Sequence, residues 1–105
     1  MIGIRQRMRA FLRSIDEVSL RRLCELTMLT RLVRELLVMV LSRRLDLNFV
    51  ADSHNMSVST LQRKMRQAIL KIRFRLGIRH FFTQDEIRMR IENALTTTRE
   101  AFAAD

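Results

Sequence analysis

Leu47-Asn48-Phe49-Val50-Ala51-Asp52-Ser53-His54-Asn55-Met56-Ser57-Val58-Ser59-Thr60-Leu61-Gln62-Arg63-Lys64-Met65 is the stretch that decides the fold. Asp46 precedes it and is a good helix N-cap, because its carboxylate accepts amides that have no partner in the first turn. A short helix is predicted over 47–54. Asn55 then tolerates the left-handed backbone that ends a helix, and Ser57 caps a second helix running to Leu76. Leu47 and Val50 supply an apolar edge, Ala51 is small enough for a close helix crossing, and Met56 plugs the turn. Leu61 and Met65 close the same core from the second helix. Helix, tight turn and capped helix over one core make a helix-turn-helix, predicted over 46–77.

Outward from this unit the chain reads as helix in both directions. It has no Pro and only two Gly, Gly3 and Gly77, so interior helix breakers are scarce. Upstream, Ser14-Ile15-Asp16-Glu17 has the spacing of a capping box, following a short basic helix. Val18, Leu23, Leu26 and Leu29, then Val33, Leu36, Leu37, Val40 and Leu41, carry helical periodicity to Ser42, as two helices or one bent one. Lone Cys24 falls among them as a small buried hydrophobe. Downstream, Thr83-Gln84-Asp85-Glu86 forms a second capping box. Ile87, Ile91, Ala94, Leu95 and Phe102 share one face of an amphipathic helix over 83–103. The expectation is an all-α protein, a small helical bundle in a single domain 1–105. Scaffold helices occupy 1–45, the helix-turn-helix 46–77, and a C-terminal helix 83–103 serves as a dimerisation element.

Charge points to the partner. The chain carries 20 Lys and Arg against 11 acids, a net charge of +9. Most of the cations are Arg, whose planar fork suits phosphate and guanine edges. Between Asp52 and Asp85 there is no acid at all, while Arg63, Lys64, Arg66, Lys71, Arg73, Arg75 and Arg79 fall inside that window. On a helical wheel Leu61, Met65, Ala68 and Ile72 form the inward stripe. The outward side offers Ser59, Gln62, Arg63, Arg66 and Gln67 as base readers, with Arg for guanine and Gln for adenine. Ser57, Thr60, Lys64, Lys71 and Arg73 are the expected phosphate contacts. Beyond Gln67 the outward side turns apolar at Leu70 and Phe74, which requires a cover. A homodimer in which Ile87, Ile91 and Leu95 take part is one expectation; the alternative is that the last helix folds back over them within one chain.

Leu47 to Met65 resembles the first helix-turn-helix of AraC-type transcription regulators, whose pattern is roughly L-x-x-[IV]-A-x-x-x-x-M-S-x-S-x-L-x-R-x-[LMF]. Val33-Arg34-Glu35-Leu36-Leu37-Val38-Met39-Val40-Leu41-Ser42-Arg43-Arg44-Leu45 falls where that family places its scaffold helix. The family continues into a linker helix and a second helix-turn-helix, for which this sequence has no room. Met65 to Gly77 is instead similar to the long final helix of LuxR-type regulators or of the promoter-reading region of sigma factors. The resemblance covers about a third of the chain, and implies a regulator of transcription that binds double-stranded DNA.

Other classes are disfavoured by what the sequence lacks. No nucleophile with a base, no paired carboxylates and no Gly-rich phosphate loop argue for an enzyme, and no cofactor is expected. His54 and His80 have no Cys, Asp or Glu at ligand spacing, so a metal is not expected either. The longest apolar run, Leu36 to Leu41, is far below the ~18 residues of a membrane span, so no membrane partner is expected. Met residues read as soft core filling, with Met39 and Met89 available to an adaptable surface. Arg5, Arg7, Arg9 and Arg13 form a second basic cluster expected to face water, the alternative being contact with phosphates outside the groove. The functional expectation is sequence-specific DNA binding in the cytoplasm, at the nucleoid. The alternative is an interaction module that binds RNA polymerase or another transcription factor without touching DNA.

Overall fold

In a computed structural model the backbone of residues 2–104 and the side chains of residues 2–96 are described. The described residues are helical with connecting turns and include no strand. The helices are α1 (Ile4–Ser14), α2 (Glu17–Leu26), α3 (Arg31–Leu37), α4 (Leu47–Ser53), α5 (Val58–Arg75) and α6 (Gln84–Ala104). The all-α expectation therefore holds.

Most of the boundaries have local causes. Asp46 accepts the amides of Asn48 at 3.0 Å and Phe49 at 3.2 Å, which starts α4. Thr83 and Glu86 cap α6 reciprocally, each side chain taking the other residue's amide, at 3.2 and 3.1 Å. Gly77 ends α5 at φ 67°, where the Ile78 amide reaches back to the Arg73 carbonyl at 3.0 Å. At the start of α2 the local prediction misses by two residues. Asp16, not Ser14, is the cap and accepts the Ser19 amide at 2.8 Å, while Ser14 donates backwards to the Phe11 carbonyl at 2.6 Å. A carboxylate is the stronger acceptor at a positive helix start. This frees Glu17 to pair with Arg21 and Arg43.

The segment from Val18 to Ser42 is two helices. Met28, at φ 58°, closes α2, and Thr30 opens α3 by accepting the Val33 amide at 3.3 Å. Val18, expected in the apolar stripe, is 68% exposed, because at 3.6 residues per turn it lies on the side of α2 opposite buried Leu20, Leu23 and Cys24. Helix α3 runs directly into a π-helical segment, Val38–Ser42. There the extra residue per turn carries Val38 and Leu41 into the core.

One continuous core results. Met8 and Leu12 of α1 meet Leu20, Leu23 and Cys24 of α2, Leu36 and Leu37 of α3, and Ile87 and Ile91 of α6. Val50 and Ala51 of α4 and Leu61, Met65, Ala68 and Ile72 of α5 belong to the same cluster. Burial of each such aliphatic side chain contributes roughly 1.5–3 kcal/mol. Helix α1 packs against α5, the π segment and α6, whereas α6 packs against α1 and α2. Arg7 fastens this arrangement. Its guanidinium donates to the carbonyls of Phe82 and, at 2.7 Å, His80, and Gln84 donates to the Arg7 carbonyl at 3.1 Å.

The position of α6 settles the fate of its apolar stripe. Ile87 and Ile91 are 0% exposed and fill the chain's own core, so neither is available to a second subunit, contrary to expectation. Leu95 is half-buried against that core, and the Phe102 side chain lies outside the described residues. Helix α6 does not fold over Leu70 and Phe74, which remain 43% and 66% exposed.

Candidate nucleic-acid interface

The pair α4 and α5 forms the predicted hairpin in atomic detail. After α4, His54 has its Nδ1 3.0 Å from the Val50 carbonyl, Asn55 takes φ 54°, and the Met56 amide returns to the Ala51 carbonyl at 3.0 Å. Ser57 accepts the Thr60 amide at 3.1 Å and donates to the Thr60 hydroxyl at 2.9 Å. Ser57 and Thr60, expected at phosphates, thus first define the start of α5. Buried Val50, Ala51, Leu61 and Met65 lock the two helices together.

With that stripe turned inward, α5 presents Ser59, Gln62, Arg63, Arg66 and Gln67 to solvent. All five expected base readers are therefore exposed on one helix. They are not a free convex ridge along their whole length. Arg63, Arg66 and Gln67 border a cleft whose other wall is the first turns of α1, including Ile4, Arg5 and Gln6. Lys64 and Lys71 occupy the opposite flank, with Leu29, Thr30 and Val33 beside α3. Lys64 is half-buried there and Lys71 exposed. Arg73 is less free than expected, since its Nε donates to the Ile78 carbonyl at 3.1 Å and its guanidinium carbon lies 5.4 Å from the Phe74 ring centre.

The distribution of ion pairs separates this face from the rest. Arg21 bridges Glu17 at 3.3 Å and Glu35 at 2.7 Å, Arg43 takes Glu17 at 2.9 Å, and Arg34 meets Glu25 at 3.3 Å. The partnered Arg side chains hold Glu17 and Glu35 below the usual carboxylate range by hydrogen bonding to the charged form. Acids on α2 and α3 are thereby spent on their neighbours. Among the described residues, none of the seven cations between Arg63 and Arg79 forms an ion pair. Such a face keeps its positive potential for an outside anion.

The N-terminal basic cluster does not simply face water. Arg7 is consumed by the His80 and Phe82 carbonyls, and Arg5 and Arg9 line a small cleft with Gln6, Gln62 and Arg66. Sequence reasoning had phosphate contact outside the groove as the alternative for this cluster, but did not place it beside α5. Its only signal was the spacing of Arg5 and Arg9 on one side of a helix, which does not say what that side meets.

Met39 is half-buried against the core, leaving Met89, 61% exposed, as the more accessible of the two adaptable Met side chains. No helix among the described residues is long and apolar enough to cross a membrane. Comparison with models of known protein families, with curated proteins and with solved structures finds no match.

Proposed function

We propose that this chain binds double-stranded DNA through α4 and α5 and acts as a regulator of transcription. One observation carries the reading: a capped helix-turn-helix whose second helix exposes unpaired cations and amides, while the acids of α2 and α3 are paired elsewhere. In this reading the first half of α5 enters the major groove. Arg63 and Arg66 address guanine, and Gln62 or Gln67 addresses adenine. Lys64 and Lys71 meet phosphates on the α3 flank, and Arg5 and Arg9 extend the phosphate track on the α1 flank.

The test is anisotropy of labelled duplex DNA, first on random sequence and then on fragments selected from a genomic pool. Arg63→Ala should flatten the preference for selected over random sequence, whereas Lys64→Ala should weaken both alike. Sequence-independent losses of equal size from both variants would remove the assignment of base contacts. No salt-sensitive binding at micromolar protein would remove the DNA reading itself. A second reading, an interaction module for polymerase or another regulator, is favoured by exposed Leu70 and Phe74. It predicts retention of such a partner by the wild-type chain and its loss in Phe74→Ser, with no DNA bound by either.

A further inference from the structure

The cleft between α1 and α5 has a composition that DNA does not require. It encloses about 690 Å³, within the range of small-molecule sites. Ile4, Met8, Ile69 and Leu70 give it an apolar floor, and Arg5, Arg63, Arg66 and Arg73 contribute guanidinium groups around it. No acid lines it. The adjoining smaller cleft shares Arg5 and Arg66 and adds Arg9, whose Nε is shielded from solvent without an acceptor.

We infer that this cleft is a binding site for an apolar monoanion: an aliphatic body on the Ile4, Met8, Ile69 and Leu70 floor, with one carboxylate or sulfonate held by the guanidinium groups. Each alternative occupant leaves part of the site unused. A neutral hydrocarbon would leave several like charges around the cleft without a counter-charge. A nucleotide finds no aromatic side chain among the described residues of the lining on which its base would stack. A second copy of this chain would bring its own positive α5 face, and like-charge juxtaposition opposes that approach. Arg63 and Arg66 belong both to this cleft and to the base-reading set, so occupancy competes with DNA. That last consequence rests on the proposed function; the binding itself does not.

Decanoate, kept well below its micellar concentration, is the probe, followed by methyl NMR and calorimetry on the full chain. Saturable binding at one site is expected, with shifts at the Met8, Ile69 and Leu70 methyls and none at Leu20 on α2. Replacing Arg66 by Gln, which removes one charge-assisted contact, and Leu70 by Asn, which removes part of the apolar floor, should each weaken decanoate by about tenfold. Arg75→Gln, outside the lining, removes the same charge and should leave affinity as in the wild type. Equal losses from R66Q and R75Q would show adsorption to a cationic surface and overturn the site. So would unsaturable binding, methyl shifts scattered over the surface, or tighter binding of decyltrimethylammonium than of decanoate. Phosphatidylglycerol vesicles separate a free amphiphile from a bilayer: binding to vesicles without binding to decanoate also overturns it. Duplex DNA is titrated in parallel. Loss of DNA binding with decanoate intact, or the reverse, tells failure of the proposed function from failure of this site.

Discussion

Replacing Lys64 and Lys71 together by Gln tests the nucleic-acid reading most directly. The two side chains share the α3 flank of α5, neither forms an ion pair, and Gln keeps much of each aliphatic stem. The four phosphate contacts proposed, from Lys64, Lys71, Arg5 and Arg9, give log K a slope of about −3.6 against log salt, so affinity for random duplex should fall about 150-fold between about 50 and about 200 mM salt. Removing two of the four brings the slope to about −1.8 and the same salt interval to a loss of about 12-fold. Anisotropy of a short labelled duplex at four or more salt concentrations measures both slopes. Because Lys71 is exposed and Lys64 only half-buried, the double variant should melt like the wild type, surface changes of this sort being worth less than about 0.5 kcal/mol. An unchanged slope would refute the placement of phosphates on this flank. A fall in affinity matched by a fall in Tm would refute the claim that the two lysines act on DNA and not on the fold.

Other outcomes follow from single groups. Ser57→Ala removes the α5 cap and should cost about 1 kcal/mol, seen as a Tm lower by roughly 4–8 °C, with Ser57→Gly milder. Gly77→Ala meets no close side chain, its nearest neighbour being Arg90 Nη1 at 3.7 Å. The loss of roughly 1 kcal/mol expected in chemical denaturation is therefore backbone strain at φ 67°, and Gly77→Asn should recover part of it. Burial pushes the Cys24 thiol up from 9.0 to about 11, so the folded state holds this proton more tightly than the unfolded chain. Stability should fall as pH rises from about 9 towards about 11, Cys24→Ala should flatten that slope, and a thiol reagent at neutral pH should label the native protein only as fast as it unfolds. Glu17 and Glu35 are shifted down by Arg43 and Arg21, so their contribution is present above pH 4.5 and lost as pH falls through their lowered values. Glu35→Gln should make the acid limb of a pH-stability curve shallower; an unchanged limb would mean that the pair is too solvated to matter.

The helix-turn-helix was legible because each of its signals acts over a few residues. Asp46 finds amides two and three positions on, Asn55 sets its own φ, and Ser57 reaches Thr60. The stripe Leu61, Met65, Ala68 and Ile72 needed only the helical period to be assigned inward. Base-reader exposure followed from the same period. Where local signals competed, as between Ser14 and Asp16, spacing alone chose the weaker acceptor.

What the sequence by itself determined is the helical class, most of the caps, the hairpin of α4 and α5, and a window of cations without acids. These depend on short-range hydrogen bonds, residue period and composition, all present before the chain collapses. Only the tertiary structure decided that α6 spends Ile87 and Ile91 on α1 and α2 and leaves Leu70 and Phe74 open. It also decided that the π turn follows α3, and that α1 lies beside α5 with Arg5 and Arg9. Those outcomes depend on which apolar faces fit together and on contacts such as Arg7 with the His80 and Phe82 carbonyls, more than seventy residues away along the chain. No local pattern encodes such a partner, because the free energy that selects it appears only when the whole core closes at once.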